Sequence, residues 1–125
     1  VAQAILGETV QLRSIVALLE CDVICGHEVL DIEVPSCFAA DLMSDVLAFS
    51  APDSLLITAL TTVQSVHTAH VADCTGILFV SGKRPSPEAL QLARDNSIPL
   101  LATRHSMADS CGILRQHGLP AASRA

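Results

Sequence analysis

A chain of 125 residues, half of them apolar, has the size of one domain and enough core-forming side chains to fold without disulfide or metal staples. Seven basic against 13 acidic residues, a formal charge of -6 and three Phe with no Trp or Tyr exclude a nucleic-acid polymer or an anionic membrane as partner, because phosphate backbones need clustered cations and base stacking needs rings. No run reaches the roughly 18 to 20 apolar residues that span a bilayer, and the first residues lack the length and basic flank of a secretory signal.

Thr9 reads as the cap of a helix over 10–20, in which Val10, Ile15, Val16, Leu18 and Leu19 supply a buried stripe. Residues 22–25 read as a strand closed by Gly26, 29–31 as a turn and 33–38 as a second strand, which Pro35 confines to an edge or a bulge. Asp41 then precedes Leu42, Met43, Val46, Leu47 and Phe49 at helical spacing, a helix of about two turns stopped by Pro52. From residue 55 the pattern alternates regularly. Strand 55–58, helix 63–72, strand 76–80 and a turn over 81–85 lead to a helix capped by Ser86, with Pro87 at its first position and Glu88 after it. Strand 98–102 and a helix over 106–117, ended by Gly118, complete the series. This predicts one α/β domain with a mostly parallel sheet and right-handed strand-helix-strand crossovers. The domain is expected over 10–118, with flexible termini at 1–9 and 119–125.

Five cysteines (Cys21, Cys25, Cys37, Cys74 and Cys111), an odd number set in apolar runs, read as buried thiols of a reducing cytoplasm. On an extended strand Cys21 and Cys25 are about 13 Å apart and cannot share one metal ion. His67 and His70, at i and i+3 on a helix, lack a third ligand. No metal and no cofactor is expected. A mean hydropathy of +0.50 with 16% charged residues predicts self-association, most simply a homodimer.

Ligands of open α/β sheets bind beyond the carboxyl ends of the strands, so the strand-to-helix loops hold the candidate site. These loops carry Asp41 and Ser44; Thr58, Thr61, Thr62 and Gln64; Gly82, Lys83 and Arg84; and Thr103, Arg104, His105 and Ser106. Donors and cations along one rim predict a small anionic ligand. Gly82-Lys83-Arg84-Pro85, before a helix start, would offer amides, a helix dipole and two cations to a phosphate or carboxylate. The alternative for that segment is a tight turn with solvated charges. The chain has no Gly-Lys-Ser/Thr phosphate loop and no GxGxxG, GxSxG or HExxH motif. Asp41, His105 and Ser106 are the groups that a small phosphoryl- or acyl-transfer enzyme would use, although no motif ties them together.

Four stretches resemble, in order and spacing, the DRTGG domain family. They are Asp41-Leu42-Met43-Ser44-Asp45-Val46-Leu47, Leu56-Ile57-Thr58-Ala59-Leu60-Thr61-Thr62-Val63-Gln64, Val80-Ser81-Gly82-Lys83-Arg84-Pro85 and Ile98-Pro99-Leu100-Leu101-Ala102-Thr103. Residues 14–26 resemble the family's opening helix and strand, so the resemblance covers almost the whole chain. The segment that gives the family its name is replaced after Ile57 by Thr58-Ala59-Leu60-Thr61-Thr62. The chain is most similar to the stand-alone members that recur beside genes for iron-only hydrogenases and their electron-transfer subunits. The resemblance implies a fold like the N-terminal domain of HPr kinase/phosphorylase, without that protein's catalytic domain. It also implies a role like that of the family's copies beside CBS domains in regulatory pyrophosphatases and in phosphotransacetylases, which is that of a dimerising or regulatory module. The expectation is therefore a non-catalytic, cytoplasmic, ligand-sensing domain that dimerises and binds a nucleotide or other phosphate-containing anion at the C-terminal ends of its strands. The alternatives are an interaction module with hydrogenase or electron-transfer subunits as partners, and the small transferase.

Overall fold

In the computed structural model, which describes residues 9–122, the chain opens on a short strand, β1 (Val10–Gln11), and only then enters α1 (Leu12–Leu19). The expected Thr9 cap is absent. Gln11 is the N-cap and makes no side-chain bond, while the Thr9 hydroxyl donates to the Glu33 carboxylate. The first-turn amides of Leu12 and Arg13 donate instead to the carbonyls of Ile32 (2.9 Å) and Leu30 (2.8 Å). Backbone from the next segment thus satisfies donors that a capping side chain would otherwise take. Leu12, Ile15 and Leu19 form the buried face of α1. Glu20, in the left-handed region at φ 52°, ends the helix and turns the chain into β2 (Asp22–Cys25).

After a 3-10 turn at His27–Val29, the strand expected over 33–38 is two strands. β3 (Glu33–Val34) pairs antiparallel with β1, and β4 (Cys37–Ala39) is the edge of the main sheet. Pro35 lies at the break, where it has no amide to give to a ladder. From there the expected alternation holds: α2 (Met43–Phe49), β5 (Leu55–Thr58), α3 (Val63–Val71), β6 (Gly76–Phe79), α4 (Pro87–Asp95), β7 (Leu100–Ala102) and α5 (Met107–Gln116). The main sheet has five strands in the order β2-β7-β6-β5-β4. β4 to β7 run parallel, and β2 is antiparallel to β7. The fold is a single α/β domain with a mostly parallel sheet.

Side-chain alternation along the central strands divides the core in two. Leu55, Ile57, Leu78, Val80 and Leu101 pack with Leu12, Ile15, Leu19 and Leu114 of α1 and α5. Leu56, Ile77, Phe79 and Leu100 pack with Met43, Val46, Val66, Ala69, Ala89 and Ala93 of α2, α3 and α4. Strands covered on both faces need apolar groups at successive positions, which is why 55–57 and 77–80 are unbroken apolar runs. No helix among the described residues is long and apolar enough to cross a membrane.

The segment after Gly118, expected as part of a flexible terminus, makes contacts with the domain as far as residue 122. Leu119 is buried, the Cys37 amide donates to the Pro120 carbonyl (3.0 Å) and the Ala122 amide to the Cys37 carbonyl (2.7 Å). Residues 120–122 therefore lie parallel along the outer edge of β4, where they cover otherwise open ladder groups. The expectation of flexibility at 1–8 and 123–125 falls outside the described residues.

α4 ends on a left-handed residue that is not glycine. Ser97 (φ 56°) follows Asn96, with the Ser97 amide donating to Arg94 (3.2 Å) and the Ile98 amide to Ala93 (2.9 Å). A left-handed L-residue costs about 1–2 kcal/mol, of which the greater unfolded freedom of glycine offsets about half. Ser97→Gly is therefore expected to stabilise the domain by about 0.5–1 kcal/mol, read as a melting temperature a few degrees higher in calorimetry. An unchanged or lower value would refute this account of the helix end.

Candidate functional site

The parallel strands end at one rim, and the antiparallel pairing of β2 brings its first residue, Asp22, to the same rim, opposite Ala102. An open cleft of about 640 Å³ lies between the end of α1, the start of β2, the β6–α4 loop and the β7–α5 loop. Of the expected site residues, Gly82, Arg84, Thr103, Arg104, His105 and Ser106 line it, together with Leu19, Glu20, Asp22, Ala102 and Asp109.

The other expected residues stand apart from this cleft. The Asp41 Oδ1 accepts from the Thr58 hydroxyl (3.0 Å) and the Ala59 amide (2.8 Å), and Thr58 Oγ1 accepts from the Leu60 amide (3.1 Å). These bonds tie the β4–α2 loop to the β5–α3 loop. The Thr61 carbonyl accepts from the Ser86 amide (3.0 Å) and the Thr62 carbonyl from the Ser65 amide (3.1 Å), so both belong to loop and helix-start geometry. Ser44 and Gln64 are exposed on the first turns of α2 and α3, and Lys83 is exposed in the β6–α4 loop without lining the cleft.

Two expectations change with this geometry. Neighbouring strands are about 4.8 Å apart, so the ends of β4 and β7, separated by β5 and β6, are about 14 Å apart. Asp41 is too distant to orient His105, and the triad of the transferase alternative does not assemble. Ser106 instead caps α5, its Oγ accepting from the Asp109 amide (3.1 Å). The second change concerns the phosphate cradle over 82–85. The amides of Ser81 and Gly82 donate to the carbonyls of His105 (2.8 Å) and Thr103 (2.9 Å), and that of Lys83 to Val80 (3.1 Å). The first two bonds hold the β6–α4 loop against the β7–α5 loop and the third closes the turn, so these three amides are already taken.

What the 82–85 segment gives to the cleft is the Arg84 side chain, whose Nη1 lies 2.8 Å from Asp22 Oδ2. The turn that presents it uses two consecutive left-handed residues, Ser81 (φ 59°) and Gly82 (φ 74°). Thr103 is buried, and its hydroxyl donates to the Leu19 carbonyl (2.7 Å) and accepts from the His105 amide (3.3 Å). It fastens the cleft wall to the end of α1. Arg104 is exposed, and among the described residues its guanidinium has no hydrogen bond or ion pair. Sequence reasoning missed Glu20, Asp22 and Asp109. Asp109 was within reach, three residues past a capping serine at a loop already under consideration. Glu20 and Asp22 reach the cleft through the pairing of β2 with β7, for which the local sequence holds no signal.

The cysteines are free and serve packing. Burial pushes the Cys21 thiol up to about 12, with the Asp22 charge adding to it. Burial also pushes Cys37 up to about 11, with Cys111 adding and Arg115 opposing. The Cys25, Cys74 and Cys111 thiols are raised chiefly by the same loss of solvent. Thiols shifted this way stay neutral near pH 7 and are poor nucleophiles. Among the described residues no three His, Cys, Asp or Glu side chains gather as a metal-binding group.

The cleft thus lies beyond the carboxyl ends of the parallel strands, the rim at which open α/β sheets bind ligands where they bind them. The fold is similar to that of a solved regulatory region, the CBS and DRTGG domains of Clostridium perfringens pyrophosphatase complexed with activator, diadenosine tetraphosphate. The TM-score is 0.70 at 18% identity, over 88% of this chain and 47% of that chain. This chain thus spans about half the length of that chain. The likeness is one of fold, and it agrees with the DRTGG-type architecture implied by the sequence resemblance. No protein-family model and no curated protein matches the chain.

Proposed function

We propose that the chain is a regulatory domain, without catalysis of its own, that senses a small phosphate-bearing anion, a nucleotide in particular, in the cleft beyond β6 and β7. The observation that carries this reading is the presence of Arg84 and Arg104 beside His105 in one open cleft. Guanidinium groups suit phosphate because their planar fork makes paired, charge-assisted hydrogen bonds. The fold it shares with a regulatory region complexed with a dinucleotide activator supports the same reading. Two further parts belong to the proposal. A cytoplasmic location is supported by the five free thiols. A homodimer is supported by Leu42 (61% exposed), Phe49 (58%) and Val71 (57%), large apolar groups at or on the neighbouring helices α2 and α3.

Calorimetric titration of the whole chain with ATP, ADP, AMP and diadenosine tetraphosphate tests the reading. Saturable binding of at least one of them is expected, and no heat from any at millimolar concentration would remove it. Native mass spectrometry of the same sample is expected to show two copies, and a monomer at micromolar concentration would remove the dimer.

A further inference from the structure

We propose that Asp22 is a built-in competitor for Arg84, so that anion binding in the cleft exchanges a carboxylate-guanidinium bond for a phosphate-guanidinium one and Asp22 sets the affinity of the site. The proposal rests on the reading of the cleft as an anion site. Asp22 opens β2 and Arg84 lies in the β6–α4 loop, yet their side chains meet at 2.8 Å, the single ion pair among the described residues. Both line the cleft, so the pair stands inside the candidate site. The Arg84 side chain is 57% exposed and that of Asp22 73%, so water reaches both partners. A pair of this kind is weak, whereas a phosphate brings more charge and more acceptor oxygens to the same fork. The exchange is therefore downhill for a phosphate, and each binding event must still displace the carboxylate. Once displaced, Asp22 joins Glu20 and Asp109 as a negative charge beside the bound anion. Both effects lower affinity, and both disappear when the carboxylate is made neutral.

The test is calorimetric titration of ATP and of inorganic pyrophosphate into the wild-type chain and into D22N, R84A, D22N/R84A and D53N. Asp53 is an exposed carboxylate in the turn before β5, at the opposite end of the strands, so its substitution controls for net charge. Asp22→Asn is expected to tighten binding by about 3- to 5-fold, less at high salt, and D53N to leave it unchanged. In the R84A chain the same Asp22 substitution is expected to give a smaller gain, since only the repulsion between Asp22 and the anion is left to remove. Wild-type binding that D22N leaves unaltered would overturn the proposal and spare the site. So would a gain that persists undiminished without Arg84, or that D53N matches. If neither the wild type nor D22N binds either anion, the proposal falls, and the site falls with it only when the four nucleotides titrated above also give no heat.

Discussion

Gly26→Ala is expected to lower the free energy of unfolding by about 3 kcal/mol, a shift of roughly 1–2 M in the urea midpoint. Two costs add at this position. The backbone is left-handed, with φ 91° and ψ 24°, which disfavours any residue with a β-carbon. A β-carbon there would also lie 2.5 Å from Pro99 Cβ and 2.7 Å from Pro99 Cα. Pro99 has nowhere to go, because its carbonyl accepts the Ile77 amide (3.0 Å) at the start of the β6–β7 ladder. On its other side a β-carbon on Gly76 would come within 3.0 Å of that same carbonyl. The proline is thus held between two glycines. Gly112, on the exposed side of α5 with nothing within 4 Å of a built β-carbon, is the control. Gly112→Ala is expected to stabilise by about 0.5–1 kcal/mol through helix propensity alone. Urea denaturation of both variants separates the accounts: similar small changes would show that Gly26 is an ordinary turn residue.

Arg104→Ala is expected to weaken nucleotide binding by about 10- to 100-fold, the range that corresponds to a charge-assisted hydrogen-bonded contact of about 1.5–3 kcal/mol. Arg104 carries the larger expectation because no neighbour among the described residues occupies its guanidinium, so its whole hydrogen-bonding capacity is open to a ligand. Arg84→Ala is expected to cost less, since Asp22 already holds that guanidinium and a ligand gains only the difference between the two partners. Lys83→Ala, outside the cleft lining, is expected to change affinity by less than about 2-fold. Titration of the three variants with ATP at two salt concentrations decides the matter. An Arg104 variant that binds as the wild type does, or a Lys83 variant that loses as much, would move the anion site elsewhere on the rim. Thr103 and Ser106 line the same cleft but serve its architecture, one bonded to the end of α1 and the other capping α5. Their alanine variants are expected to lower stability rather than to act on the ligand directly.

The alternation of strand and helix from α2 onward, the fold class and the individual helix ends were legible in the sequence, because they depend on residues within a few positions of one another. The apolar runs at 55–57 and 77–80, Ser86 with Pro87, and Gly118 each act within one turn or one strand, and the structure has them in those roles. Likewise Gly82, Arg84, Thr103, Arg104, His105 and Ser106 were found together at the rim because strand-to-helix loops of a parallel sheet must emerge at one end. Tertiary structure decided the rest. Pairing of β1 with β3 converted the expected first turn of a helix into strand, and the pairing of 120–122 with β4 anchored what read as a tail. The antiparallel seating of β2 on β7 carried Glu20 and Asp22 into the cleft, while β5 and β6 kept Asp41 out of it. Local periodicity specifies which face of a strand is buried, but it does not name the neighbour. That choice depends on hydrogen bonds and side-chain contacts between segments tens of residues apart, which form only as the whole sheet does.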